Sequence, residues 1–284
     1  KNALSLKFPE YQFKERSYKV KPVIDVPMAY YFKSKGLMRS IGGTLNDLFR
    51  FKLKQLSQRY MVLTGLNRDP YDTFKWIINK QKQVKDKFQV FFLIGDFSTY
   101  DKNININKKG FVSLIKSVAD YCKVGLKVSY FALDDFDVLK KEKTNIESVI
   151  NTSLVASRNS FNKLNLPTCY RNLVNLEVKE DYSMGYINEI GFRAGTCSPF
   201  LFYDLDYEVQ TPLMIHSFHI LDFALLKTKS QLDKKQTLEK LIKEVKNVNG
   251  TFIPIFHNYS FSKEERWQGF KDLFNYILDS EDEA

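Results

Sequence analysis

Short, nearly continuous apolar runs separated by longer amphipathic stretches constrain this chain more than any other feature of its sequence. The clearest run is QVFFLIG at 89–95, almost wholly apolar, as a strand covered on both faces must be. Residues 18–25, 124–129, 154–158 and 251–257 also read as strands, with shorter ones at 190–193 and 214–221. Between them the spacing predicts helices over 45–60, 72–86, 110–122, 135–150, 166–173 and 231–248. Asp69-Pro70 is expected to open the second of these, and a capping pair, Ser262 with Glu265, a last one. Strand and helix alternating at this interval argue for a parallel α/β architecture.

At 284 residues the chain is long for one domain, yet β/α barrels reach that length as a unit, and no repeat or composition break divides it. Residues 1–284 are therefore expected to form a single domain. The first residue is Lys1 rather than Met, so the domain is expected to be the C-terminal part of a longer protein. With 44% hydrophobic residues, including 24 Phe and 16 Tyr, it can bury a large core. The net charge is +10, but lysines are spread along the chain without a nucleic-acid-binding signature, so no nucleic-acid partner is expected. Cys122, Cys169 and Cys197 are far apart and odd in number, which argues against a disulfide framework and for a reducing, cytoplasmic location. No apolar run approaches the roughly 18 residues of a membrane span.

Polar residues fall where the strands end. Asp25, Asp96, Lys127, Ser129, Arg158, Arg193, Asp222 and His257 all lie at or just past a predicted strand terminus. In a β/α barrel those termini share one face, and active sites are built there. Loops are polar in any case, which accounts for two or three of the eight, but less easily for Arg, Asp and His each closing an apolar strand. Tyr30, Tyr31, Tyr130, Phe131, Tyr182 and Tyr186 lie beside the same termini, as sugar-stacking platforms or as core material. His216 and His219, three apart on one predicted strand, should point to opposite faces and not converge.

Several phrases carry a family resemblance: PVIDVPMAY (22–30), RSIGG (39–43), RDPYDTF (68–74), FLIGDFSTYDKN (92–103), VGLKVSY (124–130), SRNSF (157–161), LPTCYRNL (166–173), EDYSMGY (180–186), GFRAGTCSPFLFYDL (191–205) and VNGTFIPIFHN (248–258). In order and wording they resemble bacterial polysaccharide-deacetylase-like proteins, related to carbohydrate esterase family 4 and its NodB-type domain. The resemblance spans essentially the whole chain. It implies a distorted, partly open β/α barrel, a carbohydrate or glycan ligand, and metal-dependent hydrolysis of a sugar N-acetyl or O-acetyl group. By position it implies Asp25 as base, Arg193 as the residue orienting it, and His257 as general acid with Asp222 behind it. Lys127, Ser129, Tyr130, Arg158, Ser160 and Tyr182 are then candidates for contacting substrate.

The same resemblance puts the metal in doubt. The family pattern expects an Asp where this chain has Pro27, and histidines where it has Lys127 and Ser160. A prolyl ring has no ligand atom, an ammonium offers no lone pair, and a serine hydroxyl is a poor zinc ligand. No metal site and no cofactor are therefore expected, zinc being the cofactor if the site is intact after all. The Lys127 ammonium is instead expected to take the place of the metal charge and pair with Asp25, unless it snorkels to solvent. Three readings stand: a deacetylase-fold protein with impaired or lost catalysis, an active deacetylase with an unorthodox ligand set, and an interaction module with a basic surface. The oligomeric state is not legible.

Overall fold

A computed structural model describes residues 2–11, 16–228 and 230–282. In chain order its elements are α1 (Asn2–Lys7), β1 (Lys19–Val20), β2 (Val23–Val26), α2 (Leu37–Phe49), α3 (Leu53–Leu63), α4 (Phe74–Gln81), β3 (Gln89–Leu93) and α5 (Lys109–Ala119). They continue with β4 (Lys123–Val128), α6 (Phe136–Ile150), β5 (Ala156–Asn159), α7 (Thr168–Asn175), β6 (Glu180–Asp181), β7 (Phe200–Asp204) and β8 (Val209–Ile215). The last are β9 (Ile220–Leu221), α8 (Asp222–Leu225), α9 (Gln231–Asn247), β10 (Thr251–Phe252), β11 (Pro254–His257) and α10 (Phe270–Asp282).

The main sheet runs β7-β8-β6-β5-β4-β3-β2-β11-β9, every neighbour pair parallel except β7–β8. The two ends of the parallel array, β8 and β9, are consecutive in sequence. Residues 216–219 bridge them, with His216 N donating to Asp181 O and His219 N to Ile253 O. The curved sheet is thus closed by a bend in the chain rather than by a ladder, which makes it a distorted, partly open β/α barrel.

Two apolar layers follow from the two-residue period of the strands. One side of β2–β5 meets the helices in a large outer core that includes Ile24, Val90, Phe92, Leu126 and Val128. The other side fills the barrel with Val23, Phe91, Ala156, Tyr182, Phe218, Leu221, Ile253 and Ile255. Gly125 of β4 leaves room for Phe91, since a Cβ there would stand 2.5 Å from the Phe91 ring and 2.7 Å from Ala156 O. Local signals act as chemistry dictates at α6 and α9. Asp135 accepts from the amides of Asp137 and Val138, and Ser230 from that of Asp233.

The structure corrects several boundaries. The predicted helix 45–60 is two helices, α2 and α3, because Phe51 takes a left-handed φ of 51° that no α-helix continues through. Asp69 does not cap α4. Its carboxylate accepts from the amides of Tyr31, Phe32, Lys33 and Tyr71, and the helix starts only at Phe74. Residues 190–193 form no strand, and 214–221 divides into β8 and β9 around the bend. Ser262 and Glu265 do not open the last helix, which begins at Phe270 beyond a 3₁₀ turn. The hairpin β7–β8 has its first strand in a stretch where the sequence pattern predicts none.

A candidate site at the carboxyl ends of the strands

The inward face of the barrel changes character one pleat above its apolar filling. Asp25 at the end of β2, Lys127 on β4, Arg158 on β5 and His257 on β11 all point into the barrel mouth and all are buried. Parallel pairing puts His257 opposite Asp25 and Lys127 opposite Arg158. Lys127 Nζ lies 2.8 Å and Arg158 Nε 2.9 Å from Asp25 Oδ2, with His257 Nε2 at 3.9 Å. The second carboxylate oxygen, Oδ1, is buried without a hydrogen-bond partner. Burial alone would raise the Asp25 carboxyl, but the Arg158 and Lys127 charges outweigh it and hold it well below the usual carboxylate range. Burial likewise drags the Lys127 ammonium down, and Asp25 opposes that.

Arg158 is the keystone of this layer. Besides Asp25, it donates to Tyr182 O at 2.7 Å and Asn162 Oδ1 at 2.6 Å, and its guanidinium lies 4.7 Å from the Phe218 ring centre. Asn162 and Phe161 both hold left-handed φ angles, 48° and 57°, which turn the chain back so that Asn162 meets Arg158. His257 is oriented from behind by Asp222. The imidazole Nδ1 is 2.9 Å from Asp222 Oδ1, and the His257 amide donates to Oδ2 at 2.7 Å. Ser260 Oγ donates to the same carboxylate. With Nδ1 engaged, Nε2 is the nitrogen facing Asp25, an arrangement suited to proton transfer at that atom.

Of the ten residues singled out from the sequence, the structure gathers Asp25, Lys127, Arg158, His257 and Asp222. Ser129 sits just past β4, its amide donating to Glu142 Oε2 at 3.1 Å. Ser160 is buried and its hydroxyl has no partner. Tyr130 stacks on Tyr100 at 3.8 Å on the loop surface nearby. Two placements differ from expectation. Arg193 is exposed and donates to Gly185 O at 3.2 Å, and the guanidinium against Asp25 is that of Arg158. The reason is that residues 190–193 are not a strand, so nothing aims Arg193 inward. Tyr182 is fully buried in the barrel filling, with its hydroxyl committed to Glu180 at 2.6 Å, which keeps it from any substrate.

Sequence reasoning missed two acids. Glu142 of α6 is buried behind Ser129, and burial pushes its carboxyl up to about 7 against hydrogen bonds from Ser129. Its signal was available: an acid on the apolar side of an amphipathic helix. Glu180 starts β6 at the opposite end of the barrel, where it meets Lys21 at 3.1 Å and His216 at 3.4 Å. Burial would raise its carboxyl, but hydrogen bonds from His216 and Tyr182 and the Lys21 charge bring it well below the usual range. His219 lies apart from both groups. Its Nδ1 accepts from the Ile253 amide at 3.1 Å, and burial lowers the imidazole to about 4.

The residues present do not fit the metal that the resemblance implies. Pro27 has no donor atom, Ser160 offers one hydroxyl, and the Lys127 ammonium already occupies the Asp25 carboxylate. Among the described residues, no group of three or more His, Cys, Asp or Glu is placed to hold a metal ion. A groove of about 1300 Å³ runs past Arg68, Trp76, Phe261 and Trp267, but none of the Asp25 cluster lines it.

No protein-family model matches the chain, and no curated protein sequence matches it. Its fold is similar to that of a Mycobacterium smegmatis protein assigned as a polysaccharide deacetylase, with a TM-score of 0.56 at 10% identity over 94% of this chain and 86% of the other. A Pseudomonas aeruginosa PAO1 protein assigned to the same activity gives 0.53 at 8% identity, covering 92% of this chain and 85% of the other. PuuE allantoinase gives 0.55 at 9%, covering 95% and 87%. At this identity the likeness establishes the fold, a barrel of the polysaccharide-deacetylase type.

Proposed function

We propose that this protein is a bacterial, cytoplasmic glycan-binding member of the polysaccharide-deacetylase barrels in which metal-dependent removal of a sugar acetyl group has been lost. The observation that carries this reading is the 2.8 Å ion pair between Lys127 and Asp25. A tethered ammonium neutralises the carboxylate that a catalytic base would need free, and it repels a divalent cation from the same place. A base held ionised by two cations is also a weak base, because its proton affinity falls with its pKa. What remains around the mouth is suited to recognition: the Tyr130–Tyr100 pair for stacking on a sugar ring, and the buried Ser160 hydroxyl, which has no protein partner. Three buried cysteines without disulfides agree with the reducing compartment.

The intact His257–Asp222 pair favours one second reading, hydrolysis that does without the metal. Two measurements on the purified protein test the proposal. Elemental analysis should find zinc far below one equivalent, and N-acetylated and O-acetylated oligosaccharides should bind without releasing acetate. Stoichiometric zinc, or acetate release that His257→Ala abolishes, would overturn it.

A further inference from the structure

Although the lysines are spread along the chain, its net positive charge is concentrated in one segment. Residues 33–68 contain eight Lys and Arg against a single acid, Asp47, and so carry +7 of the net +10. That acid is engaged internally: Arg59 Nη2 lies 2.6 Å from Asp47 Oδ2, a buried pair that locks α3 onto α2. The hairpin's ends are tied together by Asp69, whose carboxylate joins residues 31–33 to 71, so α2 and α3 form a braced excursion from the carboxyl end of β2. That is the barrel face on which the Asp25 cluster lies.

The hairpin also turns apolar side chains outward. Ten large hydrophobic residues between Ile41 and Leu66 are exposed. They peak at the tip, where Phe49, Arg50, Phe51, Lys52, Leu53 and Lys54 alternate apolar and cationic residues. The three apolar ones are 79%, 87% and 64% exposed. No carboxylate lies within ion-pair distance of Arg50, Lys52 or Lys54 among the described residues. Phe51 sits at the turn with a left-handed φ of 51° and its ring 87% exposed.

We infer that the tip of the α2–α3 hairpin docks on the surface of an anionic lipid bilayer. Apolar side chains at the tip would enter the headgroup–acyl boundary while Arg50, Lys52 and Lys54 meet lipid phosphates, the pattern of an interfacial helical anchor. Charge complementarity selects this occupant. A second copy would bring another +7 against the first, and a neutral apolar partner would leave the cations without counter-charge. Seven of the ten exposed hydrophobic residues are not aromatic, and the tip's Phe49, Phe51 and Leu53 are of the types that enter a lipid interface. Docking there would turn the barrel mouth toward the membrane, and it does not depend on whether the mouth binds glycan.

Co-sedimentation of the whole chain with phosphatidylcholine–phosphatidylglycerol vesicles, compared with pure phosphatidylcholine, tests the inference. Binding should require the anionic lipid and weaken with salt. Lys52→Gln/Lys54→Gln should cut partitioning about thirtyfold, from a factor of about five per cation. Phe49→Ser/Phe51→Ser should abolish the binding that survives at high salt. Both pairs are exposed, so far-UV circular dichroism and melting should match the parent and exclude misfolding. Absence of binding to the mixed vesicles would overturn the inference. So would binding indifferent to both variant pairs, or Phe49- and Phe51-dependent dimers in light scattering instead of vesicle binding.

Discussion

Asp25→Asn and Lys127→Met should have very unequal effects on stability, although each removes one partner of the same ion pair. Asp25 is the one carboxylate within ion-pair distance of both Lys127 and Arg158 among the described residues. At 2.8 Å and an effective dielectric of about 20, one such pair is attracted by about 6 kcal/mol, most of it offset by desolvation of the ions. Lys127→Met leaves Asp25 neutralised by Arg158, and the thioether fills the lysine stem's volume, so a loss of about 1 kcal/mol is expected. Asp25→Asn leaves two buried cations facing each other without an anion, and should cost about 4 kcal/mol. In the Asp25→Asn background, Lys127→Met then removes an uncompensated charge and should stabilise by about 2 kcal/mol. The double-mutant cycle therefore carries a coupling of about 3 kcal/mol. Urea denaturation at pH 7, with equal m-values across the four proteins, measures it. Additive effects, within about 0.5 kcal/mol, would refute the idea that Lys127 replaces a metal charge. There is also a pH signature. Because the folded-state carboxyl of Asp25 is depressed, its contribution is fully present above the unfolded value of 3.8 and drains away as pH falls through the acid range. The gap between parent and Asp25→Asn should shrink below about pH 4.

Glu142→Gln should stabilise the protein at pH 8 but not at pH 4.5. The folded carboxyl lies near 7 against 4.5 unfolded, so the fold binds the extra proton between those values and loses up to about 3 kcal/mol as pH rises through them. Urea midpoints at the two pH values check this, and an equal effect at both would contradict it. Cys122 and Cys169, their thiols pushed up to about 12 by burial, should react with a disulfide reagent at neutral pH only as fast as the protein unfolds. A fast native-state reaction at either would mean that the site opens locally. Gly125→Ala should cost about 2 kcal/mol, because its Cβ meets a backbone carbonyl that cannot yield as well as the Phe91 ring. Thermal melting reads it, and an unchanged midpoint would show that the barrel filling is looser than its contacts indicate.

Much of the architecture was legible in the chain itself. QVFFLIG, VGLKV and the 231–248 stretch declare strand, strand and helix through their periodicity alone, because a parallel strand buried on both faces admits few polar residues. Residue type at strand ends also points to Asp25, Lys127, Arg158 and His257, since the carboxyl ends of parallel strands must share one face. For Lys127 the sequence left two outcomes open, pairing with Asp25 or snorkelling to solvent, and the 2.8 Å contact in the folded barrel decides between them. Tertiary structure decided which arginine completes that cluster. Arg158 and Arg193 both close a stretch that the sequence pattern reads as a strand, but only Arg158 lies on a strand whose register faces Asp25, and register is a long-range property that no local window contains. It also decided the break at Phe51, where local helix periodicity was overridden by the bracing of α2 on α3 through Arg59 and Asp47, residues twelve apart whose pairing requires the turn. The sequence contained all eight cations of that hairpin, yet only the fold showed that its tip faces solvent, because exposure depends on what the rest of the chain leaves uncovered.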